Sequence, residues 1–275
     1  MADVRKNLFL LTFVLAGMIL VLLALNFREI DGPDQKAEFL NAAANPIPNR
    51  LSKSGVKFFV LTKPGDRVVF YEEDDSMIYE SSLDGRTKKE IARIPDIQEM
   101  IFSPDGRQII ASAAERGKFK IFHFDLAENR KNTLDSRIKT AVFSPDGSEI
   151  AYHFYDLESD EGNISISKPD GSGFLVIFKT RIKKLNLIWP EENKIVAYLK
   201  NDAGQIKAFS LGTENDNFRK LDQTESAQYL DMSDDKVNHL EELGIKASII
   251  KTSAAESYLV YLNGKDKKLY SLEIR

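Results

Sequence analysis

The chain opens on an uninterrupted apolar run and then settles into a repeating alternation of apolar and polar positions. From Leu8 to Phe27 it reads LFLLTFVLAGMILVLLALNF, without a charge, and at about 1.5 Å per residue such a helix crosses a hydrocarbon core of about 30 Å. The pattern predicts a single transmembrane helix at 8–27 behind a short N-terminus at 1–7. A cleaved secretory signal is the alternative, but its apolar core is only about 7 to 15 residues and is followed closely by small residues. Here the nearest such run, Ala42-Ala43-Ala44, stands well downstream, so an uncleaved anchor is expected. Residues 28–55 are charged or rich in Ala, Asn and Pro and show no sustained period, which predicts a linker or stalk.

From Val56 onward a unit recurs. The segment IQEMIFSPDGRQIIAS returns as IKTAVFSPDGSEIAYH, with Phe102 and Phe143 41 residues apart. An earlier copy, VKFFVLTKPGDRVVFY, places Leu61 in the same slot another 41 residues upstream, and a later one, IKKLNLIWPEENKIVAYL, places Trp189 there. The fifth copy, IKASIIKTSAAESYLVYL, puts Thr252 in the slot after an excess of about twenty residues, which predicts an inserted helix near 233–243, with Ser233 as N-cap, Asp234 and Asp235 in its first turn and Gly244 at its exit.

Each copy reads as a strand, a tight turn and a returning Val/Ile/Tyr-rich strand. In Ser103-Pro104-Asp105-Gly106 and Ser144-Pro145-Asp146-Gly147 the serine bonds the turn backbone, proline presets φ, and glycine takes the left-handed conformation. Asn193 stands in the glycine position of the fourth copy and is expected to adopt positive φ. A third strand (SMIYESS, KFKIFHFDL, NISIS, IKAFSL, KKLYSLEI) and a more polar fourth follow. Four antiparallel strands every 40 to 45 residues or so define a propeller blade. The expected fold is therefore all-β: a β-propeller of about five four-stranded blades at 56–95, 96–136, 137–181, 182–225 and 226–275, preceded by the transmembrane α-helix.

The fifth copy stops after its third strand. Because a ring must hide its edges, residues Asn49 to Lys57 are expected to supply the missing strand. Four blades with an irregular unit, or an open ring completed by another subunit, are the alternatives.

The pattern FSPDG-x-x-I-A, a hydrophobic third strand and a Asp-Gly turn together resemble the repeat of the TolB-like propellers and, more distantly, the WD-type repeat. The resemblance runs over about Val56 to Arg275. It departs from the WD type in having no Gly-His or Trp-Asp dipeptide in register, and no counterpart of TolB's separate α/β domain is visible. It implies a blade scaffold of the kind found in periplasmic propellers.

Composition narrows function by exclusion. With 38 basic and 42 acidic residues, a net charge of −4 and no basic block, nucleic acid is not an expected partner. The absence of cysteine removes disulfides, thiolate zinc sites and a cysteine nucleophile. The histidines, His123, His153 and His239, form no metal or catalytic pattern, and no G-x-S-x-G elbow, P-loop or dinucleotide fingerprint occurs. Trp189 reads as a core residue. A lactonase- or glycosidase-like hydrolase with a metal or carboxylate site in the central channel is the alternative function. It would require acids, His or Asn where the first strands begin, but Ile97, Ile138, Ile182 and Ile245 stand there.

Loops between second and third strands share one face of a propeller. Glu72, Glu73, Asp74 and Asp75 of the first blade and Asp156, Glu158, Asp160 and Glu161 of the third therefore predict an acidic face able to dock a basic partner or divalent cations. Asp156 to Asn163 carries oxygen side chains at alternate positions but lacks the glycine and the terminal glutamate of a calcium loop, so no metal and no cofactor are expected.

The expected function is a membrane-anchored, non-catalytic protein–protein interaction or scaffold module in a cell-envelope assembly, with an unidentified protein partner. Lys and Arg are balanced about the span, Arg5 and Lys6 against Arg28 and Lys36. A lone span ahead of a large domain works as a signal anchor, so the N-terminus is expected in the cytoplasm and the propeller on the extracytoplasmic, periplasmic or extracellular, side.

Overall fold

The computed structural model describes residues 47–63, 65–115, 118–201, 205–214, 218–230, 247–252 and 257–273. The predicted span at 8–27 and the predicted helix at 233–243 lie outside them. Among the described residues no helix is long and apolar enough to cross a membrane.

Among the described residues twenty strands form five four-stranded antiparallel sheets. The first holds β2 (Val56–Leu61), β3 (Arg67–Glu72), β4 (Met77–Ser82) and β5 (Lys88–Arg93). The second holds β6 (Ile97–Phe102), β7 (Gln108–Glu115), β8 (Lys118–Asp125) and β9 (Arg130–Leu134). The third holds β10 (Ile138–Phe143), β11 (Ile150–Asp156), β12 (Glu161–Ser167) and β13 (Leu175–Thr180), and the fourth β14 (Asn186–Glu191), β15 (Lys194–Lys200), β16 (Ile206–Gly212) and β17 (Arg219–Lys220). In each, hydrogen-bonded order follows chain order, because short turns join neighbours directly. Leu61, Phe102 and Phe143 each end the first strand of their sheet, as the repeat requires, and Trp189 lies within β14.

The fifth sheet breaks chain order. It runs β1 (Asn49–Arg50), β20 (Leu269–Glu273), β19 (Tyr258–Asn263), β18 (Ala247–Thr252). Asn49 pairs with Ser271 and Arg50 with Tyr270, so a strand from before the first blade completes the last one. The stalk inferred for 28–55 therefore ends early: residues 49–54 belong to the fold. The first strands β2, β6, β10 and β14 meet in order, and Lys251 of β18 donates to the Phe59 carbonyl of β2 at 3.3 Å. Sequential four-stranded sheets, first strands meeting in turn and a shared closing sheet make a β-propeller.

Apolar cores lie between blades. Val69, Tyr71 and Ile78 of the first blade pack with Ile97, Ile109 and Phe122 of the second. Ile164, Ile166 and Ile177 of the third pack with Leu187, Trp189 and Ile195 of the fourth. Across the closure, Leu51, Phe70, Val68 and Leu83 pack with Val260, Leu262 and Leu269. A sheet buried on both faces needs apolar residues on both sides of a strand, and RVVFYE, KIVAYLK and YLVYLN supply them.

The Ser-x-Asp-Gly turn is one module used three times. Ser103 Oγ donates to Asp105 Oδ1 at 2.6 Å and accepts from the Gln108 N–H at 2.9 Å, while Asp105 Oδ1 accepts from the Arg107 N–H at 3.0 Å. Ser144 and Asp146 repeat this with Glu149 and Ser148, and Ser82 and Asp84 with Thr87 and Arg86. Those hydrogen bonds, the Ser144 hydroxyl first, hold the Asp146 carboxyl down at about 2. Gly106 sits at φ 72° with Val69 so close that a Cβ would stand 2.7 Å from its methyl, so both the turn and the blade contact exclude a side chain.

Asn193 does not take that role. It is not among the described residues with positive φ. The fourth turn is shorter than those of the first three blades: Glu191 pairs directly with Lys194, leaving a two-residue turn, and the Trp189 indole N–H caps the Glu192 carbonyl at 3.2 Å.

The described helix, α1 (Gln223–Leu230), precedes the expected insertion. Asp222 accepts from the Glu225 N–H at 2.8 Å, and Glu225 accepts from the Asp222 N–H at 3.1 Å. This reciprocal capping box was present in the sequence as Asp222-Gln-Thr-Glu225.

Candidate functional site

Backbone bonds show which loops share a face. Ile94, ahead of the second blade, donates to Ser76 O at 2.9 Å, and the Tyr155 N–H donates to Arg137 O at 3.0 Å. Val56 donates to Lys267 O at 2.8 Å. Loops between second and third strands are thus tied to the connections between blades.

Glu72 is the exception among the predicted acidic residues. It is buried, with 1% exposure, and its carboxylate pairs with Lys88 Nζ. It accepts from the N–H groups of Lys53 and Ser54 at 3.1 and 3.2 Å and from Ser54 Oγ at 2.8 Å. Glu72 ends β3 beside the segment that leads from the closing strand into β2, so it ties the closure rather than offering a docking charge.

The others lie on the face but are partly neutralised. Glu73 stands 3.8 Å from Lys57. Asp75 accepts from Tyr79 Oη at 2.5 Å, which raises the Tyr79 pKa. Asp156 takes Arg137 at 3.0 Å, with Arg137 also held by Asp135 at 2.7 Å. Asp160 accepts from the Tyr155 hydroxyl, with Lys183 at 3.7 Å. Arg137 and Lys183 come from the connections before and after the third blade, so charges meet across chain segments the repeat alone does not bring together. Asp74, Glu158 and Glu161 are exposed. Lys265 and Lys267, exposed in the β19–β20 loop, sit on the same face beside Val56, so the face is mixed around its rim. Asp156 and Asp160 turn to different partners and do not converge as a calcium loop would. Among the described residues no three His, Asp or Glu side chains gather in a metal-binding group.

A recurrent bulge shapes the mouth of the channel. The β2–β3, β6–β7, β10–β11 and β18–β19 registers each shift just after the first residue of the inner strand, at Val56/Phe58, Ile97/Glu99, Ile138/Thr140 and Ala247/Ile249. Bulges re-aim a side chain; here Lys57 borders the central cavity and Lys139 the adjoining one. The cavity, about 500 Å³, is bordered by the inner strands of the first, second, third and fifth blades. No Asp, Glu or His is among its described lining residues. Of the four apolar starts expected for the inner strands, Ile97 and Ile138 begin β6 and β10, Ile182 precedes β14, which begins at Asn186, and Ile245 is outside the described residues.

Two histidines are buried in the blades. His123 Nε2 meets Gln108 Oε1 at 2.9 Å. His153 is fully buried, and neither ring nitrogen has a hydrogen-bond partner among the described groups. Burial holds both imidazoles below the ordinary value of 6.5; for His153 the Ile182 carbonyl opposes this in part without reaching hydrogen-bond geometry. Above about pH 6.5 both states are neutral and stability is flat. Below it the unfolded chain takes up protons that the folded chain refuses, so stability falls, by up to about 1.4 kcal/mol per pH unit for each histidine. Urea midpoints measured from about pH 7.5 to about 5.5 are expected to drop, and His153→Leu to lessen the drop; an unchanged slope in the variant contradicts this.

The sequence matches no protein-family model, and no curated protein matches it. Among solved structures, the chain is similar to TolB from Acinetobacter baumannii at 14% identity and a TM-score of 0.46, covering 81% of this chain and 55% of that one. It is similar to the β-propeller domain of the Trilobed protease from Pyrococcus furiosus, described as having an open velcro topology, at 14% identity and TM-score 0.45, covering 79% and 82%. An oligogalacturonate lyase in complex with manganese gives 12% identity and TM-score 0.46, covering 80% and 63%. The chain thus spans about half the length of that TolB. Likenesses at this level assign no activity, and the propeller rests on the sheet order and closure described above.

Proposed function

We propose that this chain is a membrane-anchored β-propeller that acts as a non-catalytic docking module for a protein partner in a cell-envelope assembly. In this reading residues 8–27 span the bilayer from a cytoplasmic N-terminus, and the propeller stands on the extracytoplasmic side. The observation that carries the docking role is the arrangement of charge on the loop face. Arg137 with Asp156, Lys183 with Asp160 and Lys57 with Glu73 form separate pairs spread over different blade connections, with Asp74 and Glu158 exposed between them. Distributed charges on a rigid rim suit an extended macromolecular surface, where rim charges set approach and register.

The test is crosslinking of the full-length protein in native membranes, compared with a variant carrying Asp74→Lys and Glu158→Lys. A stoichiometric partner recovered with the wild-type chain and reduced about tenfold with the variant is expected. Equal recovery, or none, overturns the docking face. Protease access to intact cells and spheroplasts tests the orientation, and a propeller reached only after the membrane is breached from the cytoplasmic side reverses it.

A further inference from the structure

The central cavity has a chemistry of its own. Lys57 lies near the start of β2 and Lys63 just past its end, roughly 20 Å apart along a six-residue rise, and both border the cavity. Lys251 enters from β18 between them, where its ammonium donates to the Phe59 carbonyl at 3.3 Å and lies 5.1 Å from the Phe59 ring centroid. Lys63 donates to the Pro145 carbonyl at 2.8 Å, and Lys57 has Glu73 at 3.8 Å. Lys251 is half-buried where Lys57 and Lys63 are exposed, and it has no carboxylate within ion-pair distance among the described residues. Between the ammonium groups the walls are aromatic and apolar, with Phe59, Phe102 and Phe143 among them.

Even partial burial of an ammonium without a counter-ion is costly, and desolvation in the channel holds half-buried Lys251 below its ordinary range. A carbonyl oxygen supplies a dipole but not a charge. A lysine brought into an aromatic channel with spare donors is the arrangement expected where an anion completes the site. The surroundings restrict that anion. A phosphate or sulfate needs several donors around a compact, strongly hydrated charge, and at the level of Lys251 there is one ammonium and apolar wall. A single negative charge on an apolar body fits both features, and a cavity of about 500 Å³ falls within the size range of small-molecule sites.

We propose that the central channel binds a small organic carboxylate, its carboxylate on the Lys251 ammonium and its apolar body against Phe59, Phe102 and Phe143. This site is separate from the loop face, so it stands or falls independently of the docking partner.

The probe is 4-phenylbutyrate, compared with its neutral amide and with sulfate, titrated by calorimetry into the full-length protein in nanodiscs against empty nanodiscs. Saturable binding of the carboxylate is expected, with the amide and sulfate bound at least about tenfold more weakly. Lys251→Met is expected to weaken the carboxylate about tenfold, and Lys251→Arg, which keeps the charge, to retain it within about threefold. Fluorescence of Trp189, the sole tryptophan, reports whether each variant keeps its fold. Absence of saturable binding, equal affinity for carboxylate and amide, or unchanged affinity in Lys251→Met overturns the proposal. If Lys251→Met does not fold, the preference of the wild-type chain for carboxylate over amide decides it.

Discussion

Replacing Glu72 by alanine is expected to destabilise the propeller by about 3 to 5 kcal/mol, the range for removing one partner of a buried ion pair. Three consequences add up at this residue. Lys88, whose side chain is 22% exposed and whose ammonium lies 3.7 Å from the Tyr79 ring centroid, loses its counter-ion. The N–H groups of Lys53 and Ser54 lose their acceptor, as does the Ser54 hydroxyl. The segment between the closing strand and β2 loses its tie to the first blade. Urea unfolding of the purified protein measures the total. Glu72→Gln separates the parts, because it keeps an acceptor and discards the charge, and about half the loss is expected there. A Glu72→Ala variant within about 0.5 kcal/mol of the wild type, as for an ordinary surface charge, would mean that the carboxylate does not hold the closure.

A chain beginning at residue 55 is expected to lose several kcal/mol and to self-associate. Such a start removes β1 and leaves β20, the inner neighbour of the closing strand, as an open edge, and open edges pair with other chains. It also removes Leu51, which is 4% exposed and packs among Phe70, Leu83, Val260 and Leu269; losing a buried leucine alone costs about 2 to 5 kcal/mol. The Ser52 hydroxyl, which accepts from the Leu269 N–H at 2.8 Å, and the Leu51 N–H, which donates to Leu269 O at 2.9 Å, go with it. Light scattering and urea unfolding of chains starting at 47 and at 55 test this directly. The shorter chain is expected to unfold at lower urea and to form dimers or larger species, and a peptide of residues 47–55 added in excess to restore the monomer. Two chains of equal stability would show that the closing strand contributes little.

The repeat was legible because it is local. A Ser-Pro-Asp-Gly turn between two apolar strands specifies its own hairpin through bonds that span at most five residues, as from Ser103 to Gln108. Two copies of it 41 residues apart were enough to set the phase of the blades. The same reasoning misplaced Asn193, since counting from Trp189 assumed a turn of constant length and the pairing of Glu191 with Lys194 shortens it. It also passed over the Asp222 to Glu225 capping box while assigning a helix further along, although that signal is equally local.

What could not be read off the chain depends on which segments meet after the ring closes. The carboxylates of the first and third blades were recognisable as loop charges, yet Glu72 differs from its neighbour Glu73 only because β3 carries it inward against residues 53 and 54. Arg137 and Asp156 are 19 residues apart and meet because a blade connection lies against a hairpin loop. Lys251 and Phe59 are separated by 192 positions, and no periodicity places a fifth-blade lysine on a first-blade carbonyl. The alternation of apolar and polar residues thus determined the strands, the turns and their grouping into blades, because those follow from backbone geometry within a few residues. Tertiary structure decided which charges are buried, which are paired and which line the channel, because burial and pairing are properties of surfaces that exist only once the first strand has joined the last sheet.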